Sequence, residues 1–200
     1  MCKLTHHRLS MSSDTQQKMI DGARNCFFKH GFRASNMSLI SQYAGFSRVT
    51  LHKHFKNKDG VFRAVCNDYQ VRCHSDCQVF LAQQDSCWQI LEQVIATWSK
   101  SAFDEVHDDK VLRELLFEAT QVASDIFEDA RENLELMLQN ILDKGIADSQ
   151  ISLQACQLSS PQLAAIIVAS INGIRTNFPR EQILQTSHQL IDLYRLATRV

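Results

Sequence analysis

The stretch GFRASNMSLISQYAGFSRVTLHKHFKNKDGVF, residues 31–62, decides the fold. Asn36 is a good helix N-cap, and Met37, Ile40 and Ala44 then recur on one face. Gly45 supplies the left-handed cap that a tight turn needs. Ser47 caps the next helix, in which Leu51 and Phe55 share a face. Upstream, Ser13 followed by Gln16 reads as a capping box. The helix it opens carries Met19, Ala23, Cys26 and Phe27 on one side and is predicted to stop at Gly31. Three short helices, the last two joined by a glycine-containing turn, have the outline of a helix-turn-helix at about residues 36–55.

On the third helix each residue advances by about 100°. With Leu51 and Phe55 inward, Val49, Thr50 and Lys53 point nearly opposite. Arg48 and His52 flank them on one edge and His54 on the other. Lys56 and Lys58 follow at once. The exposed face thus combines a guanidinium, an ammonium, a hydroxyl, two imidazoles and a small apolar group. Such groups read base edges and grip phosphates, although a plain solvated helix face carries similar residues.

Charge distribution favours the first of these readings. Residues 1–62 hold 10 Lys/Arg against 3 Asp/Glu, and residues 63–200 hold 11 against 19. A basic N-terminal third on an acidic remainder points to a polyanion-binding module joined to something else.

Residues 31–62 resemble the signature of the TetR (tetracycline-repressor-like) family. That signature runs Gly-aromatic, a small polar pair, an apolar helix ending Ala-Gly, an apolar residue and Ser. It continues Thr-Leu-Tyr-x-(His/Tyr)-Phe and closes Lys-(Ser/Asn)-Lys-acidic. Gly31, Phe32, Ser35, Asn36, Ile40, Ala44, Gly45, Ser47, Thr50, Leu51, His54, Phe55, Asn57, Lys58 and Asp59 fit it. Val49 departs from the usual Gly, Ala or Pro, and His52 from the usual Tyr. An imidazole whose charge follows pH thus replaces a phosphate-gripping phenol. The resemblance implies that Ser47, Arg48, Val49, Thr50, His52 and Lys53 face bases or adjacent phosphates. It implies that His54 and Lys58 hold the backbone, Lys58 aided by the dipole of the fourth helix. Asn36 and Ser38 would reach the opposite phosphate wall.

Beyond Asp59 the pattern is longer helices, predicted at 59–84, 86–103, 111–123, 128–147, 162–176 and 180–198. Ser160 reads as a cap with Pro161 just inside the helix, and Pro179 precedes the last one. The expected fold is all-α: a helix-turn-helix domain over 13–73, then a helical ligand-binding and dimerisation bundle over 74–200. Trp88, Trp98, Phe103, His107, Phe117 and Phe127 are candidate pocket residues, with ordinary core packing as the alternative. Ala165, Ala169 and Gly173 form a small-residue stripe. With Ile183, Ser187, Leu190, Tyr194 and Ala197 of the last helix they resemble the family's dimer interface.

The resemblance implies a DNA-binding regulator: a homodimeric repressor released from a near-palindromic operator by an unknown small molecule. Alternatives are an activator, a ligand-independent regulator, or a helical carrier or enzyme. No glycine-rich phosphate loop, acid–base pair or nucleophile signature supports catalysis, and no cofactor is expected. Seven cysteines without an apolar leader or a membrane-length apolar run suggest free thiols in a cytoplasmic protein. Cys66, Cys73 and Cys77 lie on one helix, but a core role outweighs a metal or redox one, so no metal ligand is expected.

Overall fold

The computed structural model describes residues 13–83, 85–100 and 104–200. The Ser13 side chain and Phe103, singled out above, lie outside the described residues. All regular structure described is helical: α1 (Ser13–Ala34), α2 (Met37–Ala44), α3 (Arg48–Phe55), α4 (Lys58–Leu81), α5 (Cys87–Ser99), α6 (Asp109–Val122), α7 (Ser124–Ala147), α8 (Ser160–Asn177) and α9 (Arg180–Ala197). No described helix is long and apolar enough to cross a membrane.

Two compact units result. Among described residues, the first takes 13–71 and 104–128, and the second takes 72–83, 85–100 and 129–200. The sequence suggests a single division at residues 73–74. Instead the chain returns to the first unit with α6. The cause is specific: Arg33 donates from its backbone N–H to Glu114 at 2.6 Å and from Nε to Glu118 at 3.0 Å. Leu115 and Ala119 of α6 join the same buried cluster as α1. Arg63 of α4 then clamps the start of α7, donating to the Val122 carbonyl at 2.7 Å and to both oxygens of Asp125. That bidentate pair holds the Asp125 carboxyl below its ordinary value and raises the Arg63 guanidinium above its own.

The core of the first unit is aromatic. Phe27 stacks on Phe32 with ring centroids 5.9 Å apart, and Phe62 meets both at 5.1 and 5.0 Å. Ile40, Leu51 and Phe55 close the cluster from α2 and α3. Gly31 does not end α1 outright but kinks it, at φ 79 and ψ 172, a conformation glycine alone adopts readily. Gly22 serves closeness instead. A Cβ there would stand 2.3 Å from the Ala44 Cα, so α1 and α2 cross backbone to backbone.

In the second unit, α5 packs on α8 and α9, and α8 packs on α9. Leu91, Val94 and Ile95 of α5, Leu163, Ile167 and Ile171 of α8, and Ile191 of α9 are buried. Several boundaries differ from the sequence reading by up to four residues, among them the starts of α7 and α8. α7 begins at Ser124, directly after Ala123, because the N–H groups of Ile126 and Phe127 both reach the Ala123 carbonyl. The cap of α8 is Ser159 rather than Ser160. Ser159 donates from its backbone N–H and its hydroxyl to Gln162 Oε1, each at 2.9 Å. Ser160 is turned inward, donating to Asp143. Cys73 and Cys77 are buried here. The contact with Cys73 and burial both push the Cys77 thiol up, and it donates weakly to the Val94 carbonyl. In the first unit burial pushes the Cys66 thiol up to about 12. Protonated, enclosed thiols of this kind act as packing groups.

Replacing Gly22 by Ala will force α1 and α2 apart. The expected loss is about 1–3 kcal/mol, as for other overpacked sites, read as a lower urea midpoint with an unchanged slope.

Candidate nucleic-acid interface

α2 and α3 are eight residues each, too short to persist alone in water. Caps and burial hold them. Asn36 Oδ1 accepts from the backbone N–H groups of Ser38 and Leu39, both at 3.0 Å. Ser47 Oγ accepts from Thr50 N–H at 3.0 Å and pairs with the Thr50 hydroxyl at 2.8 Å. Gly45 makes the turn at φ 71 and ψ 23, the left-handed cap glycine favours. His30 Nε2 and the Tyr43 hydroxyl, 2.7 Å apart, tie α2 to α1.

Leu51 is fully buried and Phe55 nearly so, which turns the rest of α3 outward. Arg48, Val49, His52 and Lys53 are exposed, Val49 at 80%. Thr50 and His54 are half-buried on the edges. Ser38 and Ser47 are exposed at the N-termini of α2 and α3. From residue 22 to residue 58 the chain carries seven Lys/Arg and no Asp or Glu. Among the described residues Arg48 and Lys53 have no ion pair, so their charge is presented to solvent undiminished. The chain turns after α3 with Lys56 at φ 64, exposed beside that face.

Lys58 behaves differently from the other cations. Its Nζ donates to the Phe32 carbonyl at 3.0 Å and lies 4.0 Å from the Phe32 ring centroid. It pins α4 to the end of α1 as well as lying near the basic face.

Comparison with known proteins places this geometry. The profile of the bacterial regulatory proteins of the tetR family matches residues 19–65, from the first core methionine into α4. The HTH-type transcriptional regulator YdgC of Bacillus subtilis strain 168 is 23% identical over 173 residues, spanning 84% of this chain and 83% of that one. Over residues 19–65 the chain carries the N-terminal domain of the TetR family. The chain is also similar to the HTH-type transcriptional repressor ComR of Escherichia coli K12. That match is 36% identical over 50 residues, a quarter of this chain and 24% of ComR. In three dimensions it is similar to SmeT, the repressor of the Stenotrophomonas maltophilia multidrug efflux pump SmeDEF. The TM-score is 0.68 at 20% identity, covering 92% of each chain. The family is one of DNA-binding transcriptional regulators, and the helix-turn-helix is its reading head.

The other candidate residues are more scattered. Trp88 and Trp98 are buried on α5 in the second unit, where the Trp98 Nε1 finds no acceptor among the described residues. His107 is exposed ahead of α6 in the first unit. Phe117 points out of α6, 54% exposed, with the Arg33 guanidinium 6.0 Å from its ring. Phe127 packs against the aromatic core of the first unit. Trp88 and Trp98 thus belong to the second unit, and His107, Phe117 and Phe127 to the first. A cleft in the second unit is lined instead by residues the sequence did not single out, Cys87, Ile90, Ile141 and Gly145 among them.

On α8, Ala169 is exposed, Ala165 is half-buried, and Gly173 has open space where a Cβ would stand. On α9, Ser187 is buried against Ser99, and the Tyr194 hydroxyl meets Ser170 at 3.0 Å. Ile183 and Leu190 are half-buried, and Ala197 is exposed. The apolar groups that face solvent are Ile166 on α8 and Leu184, Leu193 and Leu196 on α9.

Lys58→Ala removes a charged hydrogen bond and a cation–ring contact together. It is expected to lower stability by about 1–2 kcal/mol, seen in thermal unfolding without DNA, whereas Lys56→Ala leaves stability unchanged.

Proposed function

We propose that this regulator is a repressor that binds a near-palindromic operator as a homodimer and is released by a small apolar effector. The observation that carries the reading is the outward face of α3: Arg48, Val49, His52 and Lys53 exposed together on a segment without acidic residues. Arg48 and Lys53 read base edges in the major groove, and Val49 touches a thymine methyl. Thr50 and Ser47 contact phosphate or base from the start of α3, and Asn36 and Ser38 meet the opposite backbone. His52, His54, Lys56 and Lys58 contribute charge and hydrogen bonds along the phosphates.

DNA reading is assigned to the first unit, and effector and partner binding to the second. The effector sits among apolar groups near Trp88 and Trp98, where the unpartnered Trp98 indole N–H offers it a donor. SmeT has been described in complex with triclosan, which supports a small-molecule effector here. Repression is supported by ComR and SmeT, both named as repressors. Ala165, Ala169 and Gly173 of α8, with Ile183, Leu190 and Tyr194 of α9 and the exposed leucines beside them, form the dimer interface. A two-fold dimer then presents two α3 helices to successive major grooves, about 34–36 Å apart or somewhat more. The site of action is the cytoplasm.

The test is a titration on operator and scrambled duplexes across a salt series. Arg48→Ala and Lys53→Ala are each expected to cost about 1–3 kcal/mol on the operator and far less on scrambled DNA. Lys56→Ala should weaken both equally and flatten the slope of log affinity against log salt by about 0.9 per lost contact. Equal losses on both duplexes for Arg48→Ala and Lys53→Ala would overturn the docking of α3. Light scattering is expected to give twice the 22.9 kDa chain mass, and Leu193→Glu to shift it toward monomer.

A further inference from the structure

Within the second unit, the last turns of α7 press on the start of α5. A Cβ on Gly145 would lie 2.8 Å from Cys87 Sγ and 2.9 Å from Ile151 Cδ1. Beside this contact opens a cleft of about 170 Å³. Its floor is apolar: Ile90, Ile141 and Cys87 are buried, and Leu81 of α4 forms a half-buried wall. Burial pushes the Cys87 thiol up, so the floor carries no thiolate. An apolar cavity of about 150 Å³ holds one benzene, which sets the size of an occupant at about one ring.

The rim is charged and held in place. Asp85, Lys144 and Asp148 border it, two carboxylates against one ammonium. The Asp148 N–H donates to the Lys144 carbonyl at 2.9 Å, and Gln150 N–H to the Gly145 carbonyl at 2.8 Å. Arg195 lowers the Cys87 thiol and Asp148 raises it, so charges of both signs reach the floor of the cleft. The N-terminus of α5 would otherwise favour an anion, but its donors are already used. Cys87 N–H donates to Gln150 Oε1 at 2.8 Å, Trp88 N–H to the Cys87 sulfur, and Gln89 N–H to Ser86 Oγ. With the helix end closed off and Arg195 paired to Glu92, the rim itself carries two carboxylates against Lys144.

We propose that this cleft binds small primary amines whose apolar body is about one ring, the ring on Leu81, Ile90 and Ile141 and the ammonium at Asp85 and Asp148. Binding here stands apart from operator release, so a failure to bind amines leaves the repressor reading intact. The probe is 2-phenylethylamine, with 2-phenylethanol as the neutral analogue and 3-phenylpropanoate as the anion, titrated into the full chain by calorimetry at pH 7. The amine is expected to bind about fivefold more tightly than the alcohol, the upper range for a partly exposed ion pair. The anion should bind more weakly than either. Asp85→Asn with Asp148→Asn, both at the rim, should bring the amine down to the alcohol and leave the alcohol unchanged. Leu81→Trp should fill the cleft and abolish binding of all three, with helical circular dichroism retained. The proposal is overturned if alcohol or anion matches the amine, if the double Asn variant binds the amine as wild type does, or if a folded Leu81→Trp chain still binds it.

Discussion

Burial of Leu51 and Phe55 in an aromatic cluster is the contact on which the reading head depends. α3 has only eight residues, and helix formation in so short a segment does not repay its nucleation. Its existence and its orientation are therefore tertiary facts. Phe27, Phe32 and Phe62 provide the surface that Leu51 and Phe55 bury against. Once those two side chains are inside, Arg48, Val49, His52 and Lys53 have no direction left but outward. The orientation of this basic face thus follows from apolar contacts on the opposite side of the same helix.

The same cluster explains why the first unit can concentrate positive charge at a tolerable cost. Three arginines away from the basic face are paired: Arg24 with Asp21 and Asp68, Arg33 with Glu118, Arg63 with Asp125. Arg48 and Lys53 remain unpaired among the described residues and carry a field that a polyanion would neutralise. Lys58 stands between these roles, its charge partly spent on the Phe32 carbonyl and ring. In this segment folding and binding draw on the same groups.

In the second unit polarity is arranged differently. Single hydrogen bonds join otherwise apolar helices, as between Ser99 and Ser187 or Ser170 and Tyr194. Arg195 pairs with Glu92 at 2.5 Å while lying 5.8 Å from the Trp88 ring. Several apolar side chains of α8 and α9 are left in solvent, Ile166, Leu184, Leu193 and Leu196 among them. α4 and α7 each supply residues to both units.

The sequence by itself determined the all-helical class, the caps at Asn36 and Ser47, the turn at Gly45 and the outward face of α3. These are local properties: cap chemistry and helical period act over a few residues and leave a direct trace in the chain. It did not determine where α6 belongs, because Glu114 and Glu118 become informative only once Arg33 is brought to them across more than 80 positions. An aromatic at helical spacing carries no mark of which neighbour it meets, so the packing of Phe127 on the core of the first unit was not legible either. The tie between Lys58 and Phe32, the Gly22 crossing and the Gly145 cleft were hidden for the same reason. Each depends on two backbones approaching from distant parts of the chain, and only the folded structure decides which ones do.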